Sequence, residues 1–335
     1  MNYHDELEQY EIYEERFNPL ATDRKARRKR KPKVRHTPKK TSGAVIQEIA
    51  DTVGLEAGFN PTYQPQLFEQ GWLLDALRPF YEQALMTDVL AKVKGGKEAT
   101  VYRCEANPDT GHQLLAAKVY RPRMFRNLRN DKLYREGRAI LKENGKSIKT
   151  SDHRLQRALG KKTALGEQLA HTSWLMHEFT TLKRLYNAGA AVPQPVAVAE
   201  NAILMGYCGD RHQAAHTLNE VRLEADEAAV LFNEALRNVE LMLRYHLIHG
   251  DLSAYNILYW EGAIILIDFP QVTDARTNPN ARSILERDIQ RLCEYFAAQG
   301  VERDAAALTH ALWARYVRIE PDDYVPKSAL EDLED

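Results

Sequence analysis

With 335 residues, 44% of them hydrophobic and 9% aromatic, the chain carries enough apolar surface for a packed core and suits one compact two-lobed module flanked by tails. The 28% charged residues sum to a net charge of −1, and no apolar stretch approaches the roughly 20 residues that cross a bilayer, which excludes a membrane span. Cys104, Cys208 and Cys293 stand far apart without CxxC spacing, which excludes a disulfide framework, and the charged N-terminus lacks the apolar run of a signal peptide, so the chain reads as cytoplasmic.

The near-neutral average conceals two opposed blocks. Asp5, Glu6, Glu8, Glu11, Glu14 and Glu15 make residues 4–15 acidic, whereas the run from Arg24 to Lys40 is strongly basic. Neither block can bury enough apolar area to fold, so residues 1–42 are expected to form a disordered interaction arm. An N-terminal helical segment, 43–84, follows, with helix-like pieces at 44–53 and 72–81 separated by the turn signals Gly58 to Pro61.

From residue 85 the pattern changes to short β-type runs at 88–94, 100–105 and 113–120, a three-stranded antiparallel meander that opens a small N-terminal lobe spanning 85–205. Within that lobe, residues 121–165 are basic and lack sustained periodicity, and they read as a partly mobile insertion. A helix over 166–187 stops at Gly189, and two short strands ending in Ile203-Leu204-Met205 close the lobe. A helical lobe, 206–320, comes next. It holds a long amphipathic helix at 224–247, a polar loop at 249–256, strands at 257–260 and 263–267, and helices at 280–299 and 303–317. Residues 321–335 form a tail.

The strongest chemical signal is His249-Gly250-Asp251-Leu252-Ser253-Ala254-Tyr255-Asn256, followed by a strand pair and Leu266-Ile267-Asp268-Phe269. Asp251 and Asn256 share one loop and Asp268 ends the following hairpin, so three oxygen ligands surround one point. Hard cations such as Mg²⁺ take oxygen ligands, and few of them from protein where phosphates and waters supply the rest. In this arrangement Asp251 orients an attacking hydroxyl while Asn256 and Asp268 hold the metal. An Asx turn would account for Asp251 and Asn256 but would leave Asp268, after four apolar residues, unexplained. His249 reads as a loop brace.

Phosphate chemistry also needs a cation. Leu114-Leu115-Ala116-Ala117-Lys118-Val119-Tyr120 puts Lys118 inside an apolar strand, and Glu178 lies on the apolar stripe of the 166–187 helix with Leu175, Leu182 and Leu185. Two opposite charges on buried faces explain one another as a pair. A phosphate-cradling loop is expected between the first two strands, at Gly95, Gly96, Lys97 and Glu98, where glycines let backbone amides approach an anion. It is neither a Walker A loop nor GxGxxG.

Taken together, residues 85–300 resemble the RIO family of atypical serine/threonine protein kinases. The matching segments are GKEATVY at 96–102, AAKVY at 116–120, RNDKLY at 129–134, HEF at 177–179, Pro193-Gln194-Pro195, HGDLSAYNILY at 249–259 and IDFPQ at 267–271. The resemblance implies an α+β, two-lobed protein-kinase-like fold without an activation loop, and a chemistry of ATP with Mg²⁺ or Mn²⁺. It implies Lys118, paired with Glu178, on the phosphates, Asp251 and Asp268 as catalytic aspartates, and Asn256 and Asp268 as metal ligands. Adenine would lie near Gly206 and Cys208, behind Met205, with Val101, Ala116, Leu258 and Ile267 completing the nucleotide pocket. The family's association with a phospho-aspartate intermediate implies ATPase cycling at Asp268, and the short segment after Gln271 implies self-phosphorylation or switching on a large partner.

Lys94 and Gly95 depart from the family pattern, which often has Ser or Thr before GKE. Residues 43–84 are short for the winged helix of one subfamily, although IDFPQ resembles that subfamily, so the subfamily is left open. A small-molecule phosphotransferase of the aminoglycoside or choline type shares the HGDLxxxN and IDF elements. A third reading is a nucleotide-binding module attached to ribosomal RNA or a ribosomal particle through residues 24–40, whose cations would neutralise phosphates.

Overall fold

The computed structural model describes residues 59, 61–65, 67–96, 99–120, 140–142, 145–148, 152–161 and 163–317. The acidic and basic arm, the helix-like piece at 44–53, the segment 121–139 and the C-terminal tail lie outside the described residues. Strands β1 (Met86–Gly95), β2 (Ala99–Ala106), β3 (Leu114–Tyr120), β4 (Pro195–Val198) and β5 (Ala202–Gly206) build one antiparallel sheet in the order β1-β2-β3-β5-β4.

Strand β3 lies at the middle of this sheet, and its side chains alternate between two covered faces. Leu115, Ala117 and Val119 share a core with helix α1 (Leu67–Glu82), which contributes Leu73, Leu77 and Phe80. The helix suggested at 72–81 is therefore part of the sheet's own core, which extends before residue 85. Ahead of it, the Tyr63 N–H donates to the Val89 carbonyl at 2.8 Å and the Thr62 N–H to Asp88 Oδ1 at 2.7 Å, which pins the chain to β1. On the opposite face Tyr120 joins Ile203 and two residues of a second helix, Trp174 and Leu175.

Among the described residues, two helices stand between β3 and β4: α2 (His153–Gly160) and the longer α3 (Ala164–Asn187). The sequence predicts only a partly mobile insertion where α2 forms, because eight residues, with Leu155, Ala158 and Leu159 the apolar ones, are too few to show a sustained period. Gly166 permits the junction, since a Cβ there would lie 2.0 Å from the Ala158 carbonyl oxygen. Thr163 caps α3 through its Oγ1, which accepts the Gly166 N–H at 3.2 Å. Trp174 and Leu175 pack under the sheet, while Leu182 and Leu185 enter the core of the helical lobe, so α3 belongs to both lobes.

The helical lobe begins with β6 (His216–Thr217) and α4 (Ala225–Arg244), which buries Leu231, Phe232, Ala235, Val239 and Leu243 along one stripe. It ends earlier than the predicted 247, because His246 adopts a positive φ of 57° and turns the chain into β7 (Leu247–Ile248). A hairpin follows, β8 (Ile257–Trp260) with β9 (Ala263–Leu266), and then β10 (Thr273–Asp274), which pairs with β7. Helices α5 (Ala281–Ala297) and α6 (Ala305–Tyr316) complete the lobe. Among the described residues no helix is long and apolar enough to cross a membrane.

Because α1 is part of the sheet core, Phe80→Ala, at a fully buried position, is expected to lower the unfolding free energy by about 3–5 kcal/mol in urea titration.

Candidate active site

The β2–β3 and β3–β5 registers set Lys118 opposite Val101 on one side and Ile203 on the other. Its side chain leaves the sheet on the α3 face, where an unpaired ammonium would be costly. Two carboxylates answer it: Lys118 Nζ lies 2.5 Å from Glu178 Oε1 and 2.5 Å from Asp268 Oδ1. Burial opposes the ammonium, but Asp268 and Glu178 outweigh it and hold the Lys118 pKa well above its usual value. For Asp268, burial likewise favours the neutral acid, and Lys118 reverses that and keeps its pKa below the usual range. Glu178 is held from its other oxygen by the Tyr120 hydroxyl, which donates to Oε2. Tyr120 is buried against Trp174, edge to face, with ring centroids 4.7 Å apart.

Asp268 itself takes a positive φ of 70°, a conformation that Asp tolerates better than most residues but that still carries strain. Behind it, the Phe269 ring packs 5.0 Å from the His249 ring. His249 Nε2 donates to the Ile267 carbonyl at 3.1 Å and Nδ1 accepts the Asp251 N–H at 3.3 Å, which fixes the tautomer and ties the two aspartate segments together. The loop-brace reading of His249 agrees with these bonds.

Asp251 is buried and held on both oxygens. Arg291 Nη1 donates to Oδ1 at 2.5 Å, and Asn256 Nδ2 donates to Oδ2 at 3.0 Å and to the Asp251 carbonyl at 2.8 Å. The loop around it hangs on α5: Asp288 accepts the Gly250 N–H at 2.7 Å and the Leu252 N–H at 3.2 Å, and Arg287 Nη2 donates to the Gly250 carbonyl. Burial pushes the Asp288 carboxyl up from its usual pKa. Gly250, at a φ of +87°, lies so near Gln271 that a Cβ would come within 2.4 Å of its carbonyl oxygen.

The remaining candidates stand at the β1–β2 turn, on β2 and β3, at or just after the end of β5, and on or just after the β8–β9 hairpin. Gly95 pairs with Thr100, and the Gly96 N–H donates to the Ala99 carbonyl at 2.7 Å, which draws the β1–β2 turn tight; Lys97 and Glu98 at its tip lie outside the described residues. Ala116 is paired with Met205, and Met205 packs against clusters of both lobes. The Gly206 N–H is committed to the Gln194 carbonyl at 2.8 Å and the Cys208 carbonyl accepts the Ala215 N–H at 3.0 Å, so a purine edge would have to use another N–H or the carbonyl's second lone pair there. Leu258 and Ile267 are half-buried beside Asn256, whose carbonyl accepts the Ile267 N–H at 3.0 Å.

A family model for the RIO domain matches residues 101–308, more than half of the chain. The chain belongs to the RIO family. Its matched part is 32% identical over 223 residues to the RIO-type serine/threonine-protein kinase Rio1 of Haloferax volcanii, covering 64% of this chain and 66% of that protein. It is 28% identical over 229 residues to serine/threonine-protein kinase RIO1 of Chaetomium thermophilum, covering 65% of this chain and 41% of the relative. With human serine/threonine-protein kinase RIO1 the identity is 23% over 258 residues, 76% of this chain and 40% of the human protein. The chain thus spans less than two thirds of each of these relatives.

In this RIO chain the α+β, two-lobed kinase-like fold is as expected. The donor set also suits a hard divalent cation: Asn256 turns its amide nitrogen to Asp251, which leaves its oxygen to face elsewhere, and Asp268 adds a carboxylate. Three contributors escaped the sequence: Tyr120, Asp288 and Arg291. Asp288 and Arg291 fall on the buried face of α5 with Ile284, Leu285 and Leu292, the same charge-on-an-apolar-stripe signal that exposed Glu178. Tyr120→Phe would remove the buried hydroxyl that donates to Glu178 Oε2, and it is expected to cost about 1–3 kcal/mol by urea unfolding while Lys118 keeps its carboxylate partners.

Proposed function

We propose that this chain is a RIO-type atypical serine/threonine protein kinase that uses ATP with Mg²⁺ or Mn²⁺, transferring phosphate to a protein or to itself and cycling as an ATPase. The observation that carries the reading is the ammonium of Lys118 held between Glu178 and Asp268 at 2.5 Å from each. On nucleotide binding, Lys118 keeps Glu178 and exchanges Asp268 for phosphate oxygens. That exchange would free the Asp268 carboxylate, which with Asn256 would be the group to hold a divalent cation. A cation held there would neutralise phosphate charge as it builds up.

Asp251 supplies the acceptor for the proton of an attacking hydroxyl, and the Arg291 and Asn256 contacts fix which way its carboxylate points. The segment between Gln271 and α5 is short and tied down: β10 pairs with β7, and Asp274 Oδ1 accepts the N–H groups of Arg276 and Thr277 at 2.8 and 3.0 Å. Such a segment gives a peptide substrate little platform, which favours self-phosphorylation or a large partner. The basic residues 24–40 would suit a polyanionic partner such as ribosomal RNA, and binding that weakens steeply with salt is the expected signature.

The test is ATP turnover and self-labelling by labelled ATP. Asp251→Asn, Asp268→Asn and Lys118→Met are each expected to reduce both by about 10²–10⁴-fold, and chelation of divalent cations should abolish them. Turnover unchanged in all three variants, or strictly dependent on an added aminoglycoside or choline, would overturn the reading.

A further inference from the structure

Helix α5 presents Arg287, Asp288 and Arg291 toward the loop that carries Asp251. Asp288 and Arg287 hold backbone groups of Gly250 and Leu252, whereas Arg291 reaches the Asp251 carboxylate itself. The Arg291 side chain is 3% exposed and that of Asp251 is 8% exposed. A guanidinium enclosed to that degree on an apolar helix face requires an anion nearby, and the acid within its own helix turn, Asp288, is committed to two backbone N–H groups. The ion pair therefore crosses from α5 to the loop.

We propose that Arg291 is the positioning residue for Asp251: it fixes the carboxylate in the orientation that receives an acceptor hydroxyl. This rests on the phosphotransfer reading above and adds to it a residue from outside the loop. A carboxylate on a flexible χ2 can rotate freely unless both oxygens are tied. Here one oxygen is tied by Asn256 and the other by Arg291. Asn256 is also offered to the cation, so Arg291 is a brace that cation binding does not draw on. The planar guanidinium suits this role better than an ammonium, because its donors lie in a fixed geometry. Removing the brace should misplace the proton acceptor and slow the chemical step. On the phosphotransfer reading ATP would meet the site around Lys118, so its binding should persist.

The experiment is a double-mutant cycle on the full chain, read as steady-state kcat and KM for ATP and as single-turnover transfer from labelled ATP. Arg291→Met is expected to lower kcat by about 10–100-fold, with KM for ATP within about twofold of wild type. Arg291→Lys, which keeps a buried cation without the planar fork, should recover part of the loss. In the Asp251→Asn background Arg291→Met should subtract less than about threefold more, because its effect runs through a carboxylate already removed. A kcat within about threefold of wild type for Arg291→Met, or an equal proportional loss with and without Asp251, would overturn the proposal. If Arg291→Met does not fold, as judged by its thermal transition, Arg291→Lys carries the same cycle with the same criterion of non-additivity. Asp251→Asn alone separates the two levels: a silent Asp251→Asn defeats the phosphotransfer reading, while an inactive Asp251→Asn beside a fully active Arg291→Met defeats only the role of Arg291.

Discussion

One enclosed ammonium organises both lobes of this protein. Lys118 comes from the middle strand of the sheet, Glu178 from the helix that packs beneath it, and Asp268 from the end of the hairpin in the helical lobe. An ammonium removed from water is tolerable only with such partners, so the sheet, the helix and the hairpin must meet at one place. Trp174 and Leu175 seat α3 under the sheet, and Tyr120 steadies the far oxygen of Glu178. Asp268 is the counter-charge of Lys118 here, and the proposed role as a cation ligand would compete with that use. In the proposed reaction, nucleotide phosphates would resolve the competition by supplying Lys118 with other anions.

A second arrangement stands beside the first. The loop from His249 to Asn256 contains little regular structure, yet it is tied down: Asp288 takes the Gly250 and Leu252 N–H groups, Arg287 the Gly250 carbonyl, and His249 bridges Asp251 to Ile267. A loop that carries chemistry needs a rigid support, and α5 supplies it from nearly forty residues downstream. The two clusters meet through Ile267, which accepts from His249 and donates to Asn256.

Much of this was legible because the informative residues sit close together in the chain. Asp251 and Asn256 are five residues apart, Asp268 ends an evident apolar strand, and Lys118 interrupts a run of Leu, Ala and Val. Glu178 could be paired with Lys118 across sixty residues because each was a charge on an apolar face and each demanded a partner. Arg291 carries the same kind of signal, but Asp288 stands three residues before it and Asp251 forty, so sequence alone does not say which acid answers it. The α1 contribution to the sheet core was hidden because an amphipathic helix does not announce which surface it covers. The positive φ of Asp268 and the close approach of Gly250 to Gln271 arise from tertiary contacts and leave no mark in local sequence.

The proposed exchange of Lys118 from Asp268 to phosphate when nucleotide arrives is the decisive event. A crystal structure of the protein with Mg²⁺ and a non-hydrolysable ATP analogue measures this directly. Lys118 Nζ should stay on Glu178 and move onto phosphate oxygens, with Asp268 turned to the cation together with Asn256. A bound nucleotide that leaves Lys118 still paired with Asp268, or that lies away from both, would contradict it.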